Sequence, residues 1–72
     1  MKSANITGYR ELSAEDVELM NQLKSVAVDV GNWVERVKAY PDADQRWAAI
    51  AATDLQKGFM SLIRAVAKPE TF

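Results

Sequence analysis

Residues 47–69, WAAIAATDLQKGFMSLIRAVAKP, form a long helical pattern with no Gly or Pro near its start and decide the fold of the chain. Apolar side chains recur there at spacings of three and four, at Ala48, Ala52, Leu55, Phe59, Leu62 and Val66. That period is typical of a helix with one packed face. Pro69 ends the pattern, and small residues at Ala51, Gly58 and Ala65 would let a neighbouring helix backbone come close.

A second helical pattern precedes this stretch. It begins at Ser13, and Asp16 stands at the spacing that a capping box requires. Its apolar seam consists of Met20, Leu23, Ala27, Val30, Val34 and Val37. A neighbouring line repeats every seven residues and consists of Leu12, Leu19, Val26, Trp33 and Tyr40. Together they make a face too wide for a lone hairpin to cover, which predicts contact with further copies of the chain.

The segment Tyr40-Pro41-Asp42-Ala43-Asp44 predicts a turn, because the residue before proline is disfavoured in a helix. Asp42 or Asp44 can cap the next helix, and so short a loop makes the two helices antiparallel neighbours. We therefore predict an all-α fold, an antiparallel two-helix hairpin assembled into a compact homo-oligomer. Its single domain covers residues 1–72, with an N-terminal lead at 1–12 and helices at 13–40 and 45–68.

Composition favours assembly and narrows the classes of function. The chain has 72 residues, and below roughly 70–80 residues one core rarely supplies more than ~3–5 kcal/mol. Without cysteine or histidine, disulfides and the commonest metal ligands are excluded, so oligomerisation is the remaining support. A net charge of −1 argues against DNA or RNA polymers as partners. We expect a soluble intracellular protein, because no run approaches the ~20 apolar residues of a membrane span and the start lacks the apolar run of a signal peptide.

The sequence does not predict an enzyme. No histidine or cysteine is present to activate a nucleophile, and neither a carboxylate–histidine metal pair nor a glycine-rich phosphate loop occurs. We predict no cofactor and no metal. The clustered acids lie at helix starts and in the turn, where they are interpreted as caps and solubilising charges: Glu11, Glu15, Asp16, Glu18, Asp42 and Asp44.

Several polar residues are candidates for a binding site. Tyr9 stands ahead of the first helix beside Arg10 and could stack on a base. Lys24 lies off the apolar seam, where it is either a phosphate contact or a solvated surface lysine. The same alternatives hold for a line on the second helix, Thr53, Lys57, Ser61, Arg64 and Lys68. Trp33 and Trp47 follow apolar lines and are interpreted as core or interface anchors.

The chain resembles the phage anti-CBASS cyclic-oligonucleotide sponge proteins over nearly its whole length. The resemblance is carried by GYRELS at 8–13, by residues 21–24, by Arg46-Trp47, by TDLQKG at 53–58, and by LIRAV at 62–66 with Pro69. It implies a hexamer of interlocked trimers in the cytoplasm of the infected bacterial host. Such a protein would bind cyclic di- and trinucleotide messengers without cleaving them and would block effector activation.

The resemblance also implies site residues. Tyr9 and Lys24, with Arg10 beside them, would hold a cyclic dinucleotide. Arg64, with Lys57 and Thr53 as neighbours, would hold a cyclic trinucleotide at a separate site. A homo-oligomer with two-fold and three-fold axes matches the symmetry of both ligands.

Two other functions remain open. The chain could be a small helical protein–protein interaction module that binds a host protein through its apolar face. A hydrolase of cyclic nucleotides is the third and weakest candidate.

Overall fold

The computed structural model describes residues 11–69, which form two helices joined by a tight turn. Helix α1 spans Ala14–Ala39 and helix α2 spans Gln45–Ala67. They pack against each other as a hairpin. The predicted all-α hairpin is therefore confirmed. Tyr9 and Arg10, two of the predicted ligand residues, lie outside the described residues.

The start of α1 is held by the predicted capping box. The Asp16 backbone N–H donates to the Ser13 hydroxyl at 3.0 Å, and the Ser13 N–H donates to the Asp16 carboxylate at 3.0 Å. Both bonds satisfy backbone donors that the first turn of a helix otherwise leaves unpaired. An aspartate therefore suffices here where glutamate or glutamine is more usual.

The turn follows from Pro41 and Asp44. Tyr40 is extended, with φ −78° and ψ 118°, as expected for a residue before proline. The Ala43 N–H donates to the Tyr40 carbonyl at 3.1 Å and closes the turn. Of the two aspartates proposed as caps, Asp44 takes the role, because its carboxylate accepts from the N–H groups of Arg46 and Trp47 at 3.0 and 3.2 Å.

Helix α2 ends at Ala67 because Lys68 adopts the left-handed conformation, with φ 45°. Its N–H still donates to the Arg64 carbonyl at 2.8 Å. The following residue, Pro69, disfavours a helical conformation at Lys68. The helix thus stops one residue earlier than the predicted range of 45–68.

The inner face of the hairpin is narrow. Its half-buried residues on α1 are Met20, Leu23, Ala27, Val30 and Val34. Those on α2 are Ala52, Phe59, Ile63 and Val66, and the buried ones there are Ala48 and Ala67. Two small side chains are thus the whole buried apolar core among residues 11–69, so the isolated hairpin has little to hold it together.

The seam predicted for α2 was wrong at two positions, Leu55 and Leu62, and Leu55 is 39% exposed. Leu62 is exposed, and Ile63 takes the inner place instead. An α-helix drifts by about 20° per seven residues relative to a strict heptad. Two heptads after Ala48 the drift amounts to about 40°, which turns Leu62 away from the inner face and leaves Ile63 closer to it. The same drift leaves Val37 exposed at the end of α1.

Candidate functional site

The helical register gives the hairpin two distinct sides. Successive residues are rotated by about 100°, and the half-buried residues fix which direction is inward. The two helices are antiparallel. A residue that follows an inner-face residue by a given rotation therefore projects to the same side of the hairpin, whether it lies on α1 or on α2. Residues equally distant from the turn at Asp42 lie about level along the hairpin. These relations show which surface residues lie on each side and which lie on the back of a helix.

One side is apolar. Its large members are Leu19, Val26, Trp33 and Val37 on α1 and Trp47, Leu55 and Leu62 on α2, all exposed. Its small members are Ala51, Gly58 and Ala65 on α2. We call this set the apolar face. It contains Leu19, Val26 and Trp33 from the line that repeats every seven residues. The exposure of the large residues confirms that the lone hairpin does not cover this face.

The small and large residues of the apolar face stand opposite one another. Trp33 is about level with Ala51, Val26 with Gly58, and Leu19 with Ala65. A bulky row on α1 therefore runs beside a shallow row on α2. At Gly58 a Cβ would meet nothing within 4 Å, so packing within this chain does not require glycine there.

The other side carries the predicted cations. Lys24 projects from α1, and Lys57 and Arg64 project from α2. Lys24 is about level with Met60, between the levels of Lys57 and Arg64. We call Lys24, Lys57 and Arg64, with Met60 between them, the basic patch.

The acids nearest to Lys24 along the hairpin do not point towards it. The register turns Asp29 and Asp54 towards the backs of their helices. Within residues 11–69, an ion pair lies at the turn end of α1, where Lys38 Nζ is 3.8 Å from Glu35 Oε2. Lys24 is exposed and has no such acidic partner among the described residues. The patch can therefore attract an anion of matching size.

The residues predicted for the trinucleotide site share one line on α2. Thr53, Lys57 and Arg64 are all exposed and lie four and seven residues apart. Ser61 lies on the same line, but its hydroxyl donates back to the Lys57 carbonyl at 2.9 Å. That hydrogen is therefore already used within the helix. The line stands on the same side of the hairpin as Lys24.

Two apolar residues beside the cations were missed by the sequence reasoning. Met60 is 71% exposed and Val28 is 64% exposed, the highest values among the large hydrophobic residues. Val28 lies one turn after Lys24 on the same side. Both are apolar residues that fall outside the three- and four-residue spacing of the apolar seams. That departure from the spacing is the signal that could have identified them.

Each tryptophan is paired with an arginine. The Arg36 guanidinium lies 4.3 Å from the ring centroid of Trp33, and that of Arg46 lies 5.5 Å from the ring of Trp47. Both rings are 60% exposed. A shallow depression lined by Asp29, Asn32, Trp33 and Arg36 lies on α1 alone. It holds a carboxylate as well as a guanidinium, so the basic patch is the better anion site.

Other kinds of site find little support. Within residues 11–69, no three acidic, histidine or cysteine side chains are close enough to hold a metal ion. Neither α1 nor α2 is long and apolar enough to cross a membrane.

Comparison with known proteins places the hairpin in a family. The family model described as the Acb2/Tad1 hairpin domain matches residues 1–67. Anti-CBASS protein 2 of Pseudomonas phage JBD67 is 32% identical to this chain, over 90% of this chain and 92% of the relative. That alignment spans 99 positions, more than the 72 residues of this chain, so the relative has residues in the span without counterparts here. The match covers the lead that contains Tyr9, the turn and nearly all of both helices. The chain belongs to the Acb2/Tad1 hairpin-domain family.

Proposed function

We propose that this protein is a phage anti-CBASS protein that binds cyclic di- and trinucleotide messengers and sequesters them without cleaving them. Acting in the cytoplasm of the infected bacterium, it would keep the messenger from the effector that the messenger activates. The basic patch, on a chain of this family, is the observation that carries the proposal. The name of the phage relative supports the role against CBASS.

Lys24 is the central residue of the proposed dinucleotide site. A lysine ammonium that donates to a phosphate forms a charge-assisted hydrogen bond, which is stronger than a neutral one. Tyr9 would stack on a base, a contact worth about 1–3 kcal/mol, and Arg10 would lie beside it. Two copies related by a two-fold axis would supply two rings and two ammonium groups to a ligand with two bases and two phosphates.

The cyclic trinucleotide would bind at a separate site. Arg64 would hold its phosphate backbone, with Lys57 and Thr53 as neighbours on the same line of α2. Three copies around a three-fold axis would repeat this arrangement for each nucleotide. Retention without turnover needs neither acid nor base, and the chain has no histidine or cysteine.

Assembly would use the apolar face. Seven large residues there are exposed in the single chain, and burying a side chain of this size contributes about 1.5–3 kcal/mol. A hexamer would have a mass of about 48 kDa, six times the 8.0 kDa of one chain. Light scattering measures this mass directly. A monomer in solution would favour the alternative function, an interaction module that docks this face on a host protein.

A thermal-shift panel of cyclic di- and trinucleotides tests binding first, since a ligand that binds only the folded form raises the melting temperature. We expect a rise with at least one cyclic dinucleotide and one cyclic trinucleotide. No shift with any of them would overturn the proposal. Chromatography of the ligand after denaturing the complex should recover it intact, whereas a linear product would indicate a hydrolase.

Substitution of Lys24 tests the dinucleotide site. Two lost charge-assisted hydrogen bonds, each worth about 1.5–3 kcal/mol, predict that Lys24→Ala weakens dinucleotide binding by about 100-fold or more. Calorimetry measures the affinity and light scattering checks that the oligomer persists. Lys38→Ala is the matched control, because Lys38 is on the same helix, pairs with Glu35 and lies away from the patch. Equal affinities of the two variants would remove Lys24 from the site.

Substitution of Arg64 tests whether the two sites are separate. We expect Arg64→Ala to weaken cyclic trinucleotide binding while dinucleotide binding stays close to that of the wild type. Equal loss of both ligands would show one shared site instead.

A further inference from the structure

The most exposed large apolar side chains of the described hairpin stand on its charged side and not on its apolar face. Met60 and Val28 have the largest exposed fractions among the large hydrophobic residues, at 71% and 64%. An isolated exposed apolar residue needs no explanation. Two of them beside Lys24, one across the hairpin and one a turn away on the same helix, form a small apolar surface bordered by cations.

The position of Met60 is central. Lys57 is three residues before it and Arg64 is four residues after it, so both are neighbours on the surface of α2. Lys24 faces it from α1, at about the distance of two packed helix axes, ~8–10 Å. A flexible thioether therefore lies within a triangle of three long cationic side chains.

The same side is open around this surface. A Cβ added at Gly31, which is seven residues after Lys24 on the same side of α1, would meet nothing within 4 Å. Asp29 and Asp54 are turned towards the backs of their helices, and Glu35, which is on this side, lies 3.8 Å from Lys38 at the turn end of α1. A flat apolar group could therefore reach Met60 and Val28 without displacing either helix.

We propose that Met60 and Val28 form the wall against which a purine base of the bound cyclic dinucleotide packs. A ligand that suits this surface must carry a flat apolar group close to negative charge, and a purine nucleotide has both. Methionine sulfur packs favourably on aromatic rings, and Lys24 holds the phosphate beside it. This proposal rests on the proposed function and adds to it the residues that contact the base.

Methyl NMR tests the contact without altering the protein. The chain has three methionines, Met1, Met20 and Met60, and the ε-methyl groups can be labelled with ¹³C. Saturation with cyclic di-AMP should move the Met60 methyl signal upfield through the ring current of adenine. The half-buried Met20 on the inner face should change little. A Met60 signal that stays in place under saturation would overturn the proposal.

Polar substitutions of similar shape give the energetic test. We expect Met60→Gln and Val28→Thr each to weaken cyclic di-AMP binding by about five-fold or more. Val17→Thr is the matched control, because it makes the same change at an exposed valine of the same helix, about three turns before Val28 and outside the apolar face. Its affinity should stay within two-fold of the wild type.

The outcomes separate this inference from the proposed function. If the wild type binds no cyclic dinucleotide, the proposed function fails. If the wild type binds and both variants bind within two-fold of it, the apolar wall fails alone. If light scattering shows that Met60→Gln breaks the oligomer, Met60 belongs to a contact between copies and the wall is likewise overturned.

Discussion

The apolar face and the basic patch lie on opposite sides of one hairpin and differ in how their residues are arranged. The apolar face follows a seven-residue repeat along the length of both helices, with large side chains on α1 opposite small ones on α2. The basic patch is local, with three cations around Met60. A repeat along the whole length suits packing against another helix, whereas a local cluster suits a small ligand. The proposed assembly and the proposed ligand binding would therefore use opposite sides of one chain of 72 residues.

The largest expected effect comes from a charge placed on the apolar face. Trp33→Asp should dissociate the proposed oligomer, because interface tryptophans often contribute 2 kcal/mol or more and the change recurs in every copy. Asn32→Asp adds the same charge one residue away, on the back of α1, and should leave the mass unchanged. Light scattering distinguishes the two variants. If Trp33→Asp keeps the wild-type mass, Trp33 is not part of the interface.

The next largest effect should come from salt, which should weaken ligand binding at the basic patch and leave assembly through the apolar face unchanged. Raising ionic strength from 0.05 to 0.5 M shortens the Debye length from roughly 14 Å to roughly 4 Å. Contacts of Lys24 and Arg64 with phosphates should weaken several-fold by calorimetry, while the oligomer mass should hold because apolar burial is not screened. Dissociation at high salt, with binding unaffected, would reverse the assignment of the two sides.

The two described glycines of the helices provide a smaller and closely matched test. Neither Gly31 nor Gly58 would bring a Cβ within 4 Å of another atom, so in a single chain alanine should stabilise each helix by about 1 kcal/mol. Gly31 lies on the side of the basic patch and Gly58 lies on the apolar face. We expect Gly31→Ala to raise the melting temperature and Gly58→Ala to lower it, if a second backbone comes close to Gly58.

An equal rise in melting temperature for Gly31→Ala and Gly58→Ala would mean that no second backbone packs closely at Gly58. Calorimetry of the ligand complex then shows whether Gly31→Ala also reaches the bound base. We expect no more than a small change in affinity, since Gly31 is two turns from Lys24.

The smallest effect should come from removing the cap of α2, which belongs to neither the apolar face nor the basic patch. Asp44→Ala removes the cap that accepts from Arg46 and Trp47, at a cost of about 1 kcal/mol. That corresponds to a fall of roughly 4–8 °C in melting temperature for a domain of this size. Asp42→Ala is the control, because Asp44 alone of the two caps α2. A difference of less than about 1 °C between the two variants would show that the cap contributes little.

Much of the hairpin was predictable from local chemistry. The Ser13–Asp16 capping box, the break before Pro41 and the end of α2 before Pro69 each depend on a few neighbouring residues. Such effects act whatever the rest of the chain does. The inner place of Ile63 was not predictable from a seven-residue template, because the drift of a straight α-helix builds up over its length.

The candidate site was only partly predictable. Lys24, Lys57 and Arg64 could be named as exposed cations on helices, and the resemblance gave them roles. Their arrangement around Met60 depends on the register between α1 and α2. The position of Met60 beside Lys24 was missed for the same reason, since the two residues become neighbours only when the helices are paired.

The sequence by itself determined two helices, their caps, the turn between them and the family to which the chain belongs, because these follow from local backbone chemistry and from residue identity. Tertiary structure alone decided which residues share a side. The offset between antiparallel helices brings Lys24 level with Met60 and Trp33 level with Ala51, although each pair is far apart in sequence. Packing sets that offset, because each helix must bury its inner residues against the other.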